Sequence, residues 1–278
     1  MKLRAPGSKS IRVAAVYPNE GVKADYRKRL LALIEAMHRD VLREVIRAYK
    51  AKPPHALLAK DVSPAAAERA VMRALQRKWG KVFGDSAEKI AAHFADQALK
   101  HNDFALQTTL RKAGFSVKFQ MTRSANDAYR AVIGENVGLI KSIPSQHLAD
   151  VEGMVMRSVQ HGRDLGGLSK DLIDRFDITK RRAALIARDQ NNKATAIMNK
   201  IRKLDLGIEK SKWRHTMASK NPRDSHEKMN GEIFDTAEGC FDDEYDDFVQ
   251  PGELICCGCI AEGIIPGIDD ETEETEAP

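Results

Sequence analysis

Apolar residues step by three and four along most of this chain, and the stepping stops at Gly207. From Tyr26 it passes through Leu30, Leu33, Ile34, Met37, Val41, Val45 and Tyr49. That is the period of a helix with one buried face. Pro53-Pro54 cannot continue it. Ser63-Pro64 predicts the next start, a Ser N-cap with Pro at the first helical position. Val71, Leu75, Trp79, Val82 and Phe83 carry that helix, and Gly84 is expected to end it. A third helix is expected from Ser86 through Ile90, Phe94 and Ala98, closing at Gly114. Phe115, Val117, Phe119 and Met121 then alternate with polar residues, the period of a short strand with one buried face. Helix resumes from Ala125 to Ile140. Pro144 should break it, and Gly162 should stop the helix that follows. Ser169–Phe176 and Thr179–Leu206 are expected as separate helices, with Gly207 as the C-terminal cap.

After Gly207 the pattern turns to Gly, Pro, Asn and Asp with short strand-like pieces, at Lys212–Thr216, Glu232–Phe234 and Glu253–Ile260. The predicted class is mainly α: an elongated helical body, a small C-terminal α+β cap and a disordered acidic tail. The expected boundaries are an arm at 1–24, a body at 25–207 with one short strand near 115–122, a cap at 208–268 and a tail at 269–278. The tail has too little apolar mass to order itself.

Charge divides along the same line. The last 48 residues hold sixteen Asp and Glu and no Lys or Arg, while residues 1–230 carry a balance of +21. A basic body can lie on polyanions such as nucleic acid, and an acidic end can keep it off the wrong ones. Solvation of helix faces explains the same charges more simply. No run of about 18 apolar residues occurs, so no membrane span is expected. The N-terminal apolar stretch is too short for a secretory signal. A chain kept in a reducing compartment is not expected to form stable disulfides.

Two stretches depart from what a plain helical protein needs. Arg188, Asp189, Gln190, Asn191 and Asn192 form a polar run inside a helix, where Asn and Asp are mediocre helix formers. They read either as a polar network organised by Arg188 or as a solvated face. The second stretch is Leu254–Cys259, LICCGC, which holds three of the four cysteines, with Cys240 upstream. With His226, these sulfurs could supply N and S ligands for a tetrahedral zinc. Cys256 and Cys259 have C-x-x-C spacing, and Cys257 and Cys259 have C-x-C. Alternate cysteines on a strand also serve as small buried hydrophobes, and a reactive thiol is a third reading. Trp213 is the expected anchor of the cap's core. Gly231 is expected to supply a positive-φ turn. His215 reads as a surface strand residue. Among the motifs sought, no phosphate-binding Gly-rich loop, G-x-S-x-G or H-E-x-x-H is found.

At these residues the chain resembles the phage Mu protein F-like family of minor head proteins. The resemblance is carried by ENVGLIKSIP at 135–144, VEGMVMRSVQHGRDL at 151–165 and RRAALIARDQNNKATA at 181–196. It continues through LGI at 206–208, Trp213, the His226 to Gly231 spacing, and the Pro251-Gly252-Glu253 to Cys259 ending. Where the family pattern ends in Asn-Cys-Arg-Cys, this chain has Cys256, Cys257, Gly258 and Cys259. The family's cysteines thus map onto Cys257 and Cys259.

The resemblance implies a non-enzymatic virion component that acts in head morphogenesis at the portal vertex. It would lie in the head interior or at that vertex, and in host cytoplasm during assembly. The implied partners are the portal, the scaffold or major capsid protein, and packaged DNA without sequence preference. The alternative is a metal-dependent hydrolase carried in the head. There His226, Cys257 and Cys259 would hold a catalytic zinc, and Asp224 or Glu227 would act as base. A cytoplasmic nucleic-acid-binding protein is a third class, but the chain lacks aromatic stacking ladders.

Overall fold

A computed structural model describes all residues except 1, 6, 8, 52–62, 217–221 and 268–278. The expected tail, the Pro53-Pro54 stop and Asn221 lie outside the described residues. Among those described are five helices: α1 (Glu20–Ala51), α2 (Pro64–Lys112), α3 (Arg123–Gln160), α4 (Leu165–Asp205) and α5 (Asp224–Lys228). Six strands accompany them: β1 (Ile11–Val13), β2 (Lys210–Arg214), β3 (Ile233–Asp235), β4 (Cys240–Asp242), β5 (Asp247–Val249) and β6 (Ile260–Ile265). The fold is mainly α with a small antiparallel β region near the C-terminus.

By contact density the chain divides into two interleaved units. One comprises residues 1–23, 93–133 and 188–278, and the other residues 24–92 and 134–187. In the second unit, α1 buries Tyr26, Leu30, Ile34, Met37, Val41, Val45 and Tyr49, the stepping of the sequence. Tyr26 donates to Asn136 Oδ1 at 2.7 Å. Asp40 is buried and accepts from Trp79 Nε1 at 2.9 Å and Lys78 Nζ at 2.7 Å.

Three helix stops expected from sequence do not occur. Helix α2 starts at Pro64, with Ser63 Oγ accepting from Ala66 N, but it runs straight through Gly84. One helical Gly costs only about 1 kcal/mol, and burial of Phe83, Ala87 and Ala91 around it outweighs that. Pro144 lies inside α3. Ile140, Ile143 and Leu148 are fully buried on either side of it. The hydroxyls of Ser142 and Ser145 bond carbonyls of the preceding turn. Helix α4 is likewise continuous across 177–178. Gly162 does end α3, with φ +88.

In the first unit, the sheet order is β1-β6-β2-β3, all antiparallel, and β4 and β5 form a separate hairpin. The arm is therefore part of the sheet. Leu3 N also donates to Leu206 O at 3.0 Å and Ala5 N to Pro266 O at 3.0 Å. Gly207 sits at φ +72, with Ile208 N bonded to Lys203 O and Gly207 N to Leu204 O. That is a Schellman close of α4.

The strand expected near 115–122 is not formed. The segment has no regular secondary structure and joins no strand pair. Its alternation is real: Phe115, Val117 and Phe119 pack on a core of Leu106, Leu110, Leu206 and Ile208. Met121 falls off that face and is 54% exposed. Arg202 takes the place of a neighbouring strand. Its guanidinium lies 4.9 Å from the Phe119 ring centroid, and Nη1 donates to Gln120 O at 2.6 Å.

Lys203 is buried beside it, and its Nζ donates to Ala261 O at 2.7 Å. Burial pushes its ammonium down to about 7, opposed by the Glu262 carboxylate. In the unfolded chain the group holds its proton up to the ordinary 10.5. Between these values unfolding takes up a proton, so stability rises with pH. From pH 8 to 9 the gain is expected to approach 1.4 kcal/mol. In Lys203→Met that rise should vanish. Urea titrations of both proteins at the two pH values check it, and parallel pH slopes would show that Lys203 does not carry the effect.

Candidate metal centre

Three segments meet beneath β2. Trp213 is fully buried and forms the floor. Its ring stands edge-on to His226 at 5.1 Å and to Phe234 at 6.1 Å. Helix α5 presents His226, which is 2% exposed. The turn between Gly252 and β6 presents Cys257 and Cys259, at 3% and 5%. One donor atom from each of these three residues lies within 4.8 Å of the other two. His226 Nδ1 is 3.3 Å from Cys257 Sγ and 3.7 Å from Cys259 Sγ.

The surroundings suit a thiolate. Cys257 Sγ accepts from Gly252 N and Cys259 N, each at 3.4 Å. The Cys259 thiol, despite opposing burial, and then His226 hold the Cys257 thiol below its ordinary range. The same coupling pushes Cys259 upward. His226 Nε2 faces the fully buried Asp242, 3.3 Å from Oδ2, though off the line of a good hydrogen bond. Asp242 is fixed in turn by Ser225 Oγ at 3.2 Å and Glu244 N at 3.0 Å. A carboxylate on the far side of the ring is the arrangement that orients metal-binding histidines, and here it leaves the Nδ1 edge facing the two sulfurs. The donor set of two sulfurs and an imidazole fits zinc.

The strand expected over 253–260 is not formed before Ile260. Leu254–Cys259 is a turn, and Cys256 takes φ +61. The sulfurs therefore do not alternate across a sheet. Left-handed backbone tolerates Asn better than most side chains, and Asn is what the resembled pattern places there. Cys240 opens β4 and is half-buried against Trp213's cluster, outside the three-residue group. Gly231 has φ +101, as its turn requires.

The polar run on α4 docks this turn. Asp189 Oδ1 accepts from Cys256 N at 2.8 Å, and Asn192 Nδ2 donates to Cys257 O at 2.9 Å. Asn191 Nδ2 donates to Asn19 O at 3.1 Å, and Gln190 is buried. The Asn carboxamides thus turn to backbone carbonyls and not to Arg188, which stands half-buried. Helix formers such as Glu or Ala could not supply these short amide contacts. The sequence signals missed at this site were Asp242 and His215. Only the three-dimensional arrangement marks either one.

Residues 149–262 match the family described as Phage Mu protein F like protein, a span that holds the polar run, His226, Cys257 and Cys259. An uncharacterized protein of Haemophilus influenzae is 28% identical over 256 residues, which is 89% of this chain and 54% of that protein. This chain thus spans about half the length of that relative. No solved structure matches it. The similarity to the Phage Mu protein F-like family thus covers residues 149–262, the stretch that carries the polar run and the sulfur–imidazole cluster.

Proposed function

We propose that this protein is a structural component of phage head morphogenesis, built into the particle at the portal vertex. The observation that carries the reading is the Mu F-like domain over residues 149–262. The charge pattern supports it, because a +21 body can take phosphate contacts without reading bases. The acidic β4–β5 hairpin exposes Phe241, Tyr245 and Phe248, a surface that suits a protein partner such as portal or scaffold. The His226, Cys257 and Cys259 cluster serves as a structural zinc site. Its donors are buried, while Asp224 and Glu227, the candidate bases for hydrolysis, are solvent-exposed. Among the described residues no helix is long and apolar enough to cross a membrane.

The test is the composition of purified procapsids and virions of the phage or prophage that encodes the chain. The protein should copurify with particles, and deletion of its gene should block assembly of infectious heads. Normal heads without it would overturn the reading.

Binding to duplex DNA is expected to be weak and to fall at least about tenfold between about 50 and 200 mM salt. Truncation after Ile268, which removes six acidic residues, should tighten it. If neither form shows salt-dependent binding, the basic body faces an acidic protein partner instead.

A further inference from the structure

A closed structural zinc site has four protein ligands, and His226, Cys257 and Cys259 supply three. This inference rests on the zinc reading above and asks what fills the fourth position. Around a tetrahedral zinc, sulfur and nitrogen ligands stand about 3.5 Å apart, given bonds of about 2.3 and 2.05 Å. The His226 contacts, 3.3 and 3.7 Å, bracket that spacing. A further imidazole meets it: His215 Nδ1 lies 3.5 Å from Cys259 Sγ.

We propose that His215 is the fourth ligand, completing a Cys2His2 zinc site with His226, Cys257 and Cys259. Its backbone is set for the task. His215 follows directly on β2, and its N–H donates to Asn230 Oδ1 at 3.0 Å. The next residue, Thr216, ties its hydroxyl to Gly258 O at 2.7 Å, inside the cysteine turn. The strand end and the turn are thus held face to face. The ring itself is less constrained. Its Nε2 is buried without a hydrogen-bond partner among the described residues, and its Nδ1 meets the Cys259 sulfur. His215 stands outside the group whose donors all lie within 4.8 Å of one another, so its ring must turn to bring Nδ1 inward when metal binds.

The other candidates are already engaged or displaced. Asp242 accepts from Ser225 and Glu244 and faces the far side of His226. Cys240 lies outside the three-residue group, on β4.

The full chain, reduced and never exposed to chelator, should bind one equivalent of zinc. With Co2+ in its place it should show the visible bands of a tetrahedral two-sulfur site. His215→Ala should weaken zinc affinity by about 100-fold or more, measured by competition with a chelating indicator. His215→Cys should restore affinity and strengthen the sulfur-to-cobalt charge-transfer band, because a third thiolate then joins the metal. That gain reports on the position even if the alanine variant folds poorly. Cys240→Ser should change neither affinity nor spectrum. The proposal is overturned if His215→Ala keeps wild-type affinity and spectrum, or if His215→Cys adds no sulfur band. It is overturned equally if Cys240→Ser loses the metal and His215→Ala does not. In all these cases loss of metal in His226→Ala leaves the three-residue site standing. A folded wild-type chain with less than about a tenth of an equivalent of zinc, unable to take up more, sinks both readings.

Discussion

Arg202→Ala is expected to destabilise the fold by about 3 kcal/mol, the lower end of what removing one partner of a buried ion pair costs. The Arg202 side chain is 3% exposed and grips Asp103 with two parallel bonds, Nε to Oδ1 and Nη2 to Oδ2, each 2.8 Å. Its third nitrogen holds the Gln120 carbonyl at 2.6 Å. The alanine variant strands a carboxylate and a carbonyl at once and releases the 115–122 segment from α4. Asp103 retains 23% side-chain exposure, so water recovers part of the loss. Arg202→Lys keeps the charge but not the fork, and should fall between wild type and alanine. Urea denaturation decides it. In a double-mutant cycle with Asp103→Asn, the coupling should exceed about 1 kcal/mol. A loss below that figure for Arg202→Ala would mean that the fork does not hold the segment.

Trp213→Ala should cost about 3–5 kcal/mol, as truncation of a fully buried aromatic does. The ring is the largest fully buried side chain of the described residues and touches both His226 and Phe234. Its loss opens a cavity directly under the sulfur–imidazole cluster. Trp213→Phe preserves an edge-on ring and removes an indole N–H that has no well-formed hydrogen bond, so it should cost roughly half as much or less. Chemical denaturation of the three proteins measures the difference. Zinc retention at saturating metal separates loss of the core from loss of the site. An alanine variant within about 1 kcal/mol of wild type would show that this core is not what holds the β region together.

Local pattern was enough for much of this protein. The stepping from Tyr26 to Tyr49 named the buried face of α1, because a 3.6-residue period is a property of neighbouring residues. Ser63-Pro64, Gly162 and Gly207 marked true helix ends, because capping is local sterics and hydrogen bonding. The alternation at 115–119 named the right inward residues. Residue type marked His226 and the four cysteines as candidate ligands, and the family resemblance singled out Cys257 and Cys259 among them.

What sequence could not decide were competitions settled by distant partners. Gly84 and Pro144 weaken helices locally, but the burial around them, which comes from other helices, keeps α2 and α3 continuous. The 115–122 segment found no strand to pair with and took Arg202 instead, 82 residues away from Gln120. The polar run at 188–192 looked like poor helix until its partner appeared, the cysteine turn 67 residues downstream of Asp189. That turn is no strand, because Cys256 adopts a left-handed backbone that Asp189 holds through the Cys256 N–H. His215, a surface residue by its strand position, was brought to Cys259 only by the pairing of β2 with β6. Periodicity and caps are written along the chain. The partner of a buried polar atom is chosen across space, where tertiary packing alone decides which groups meet.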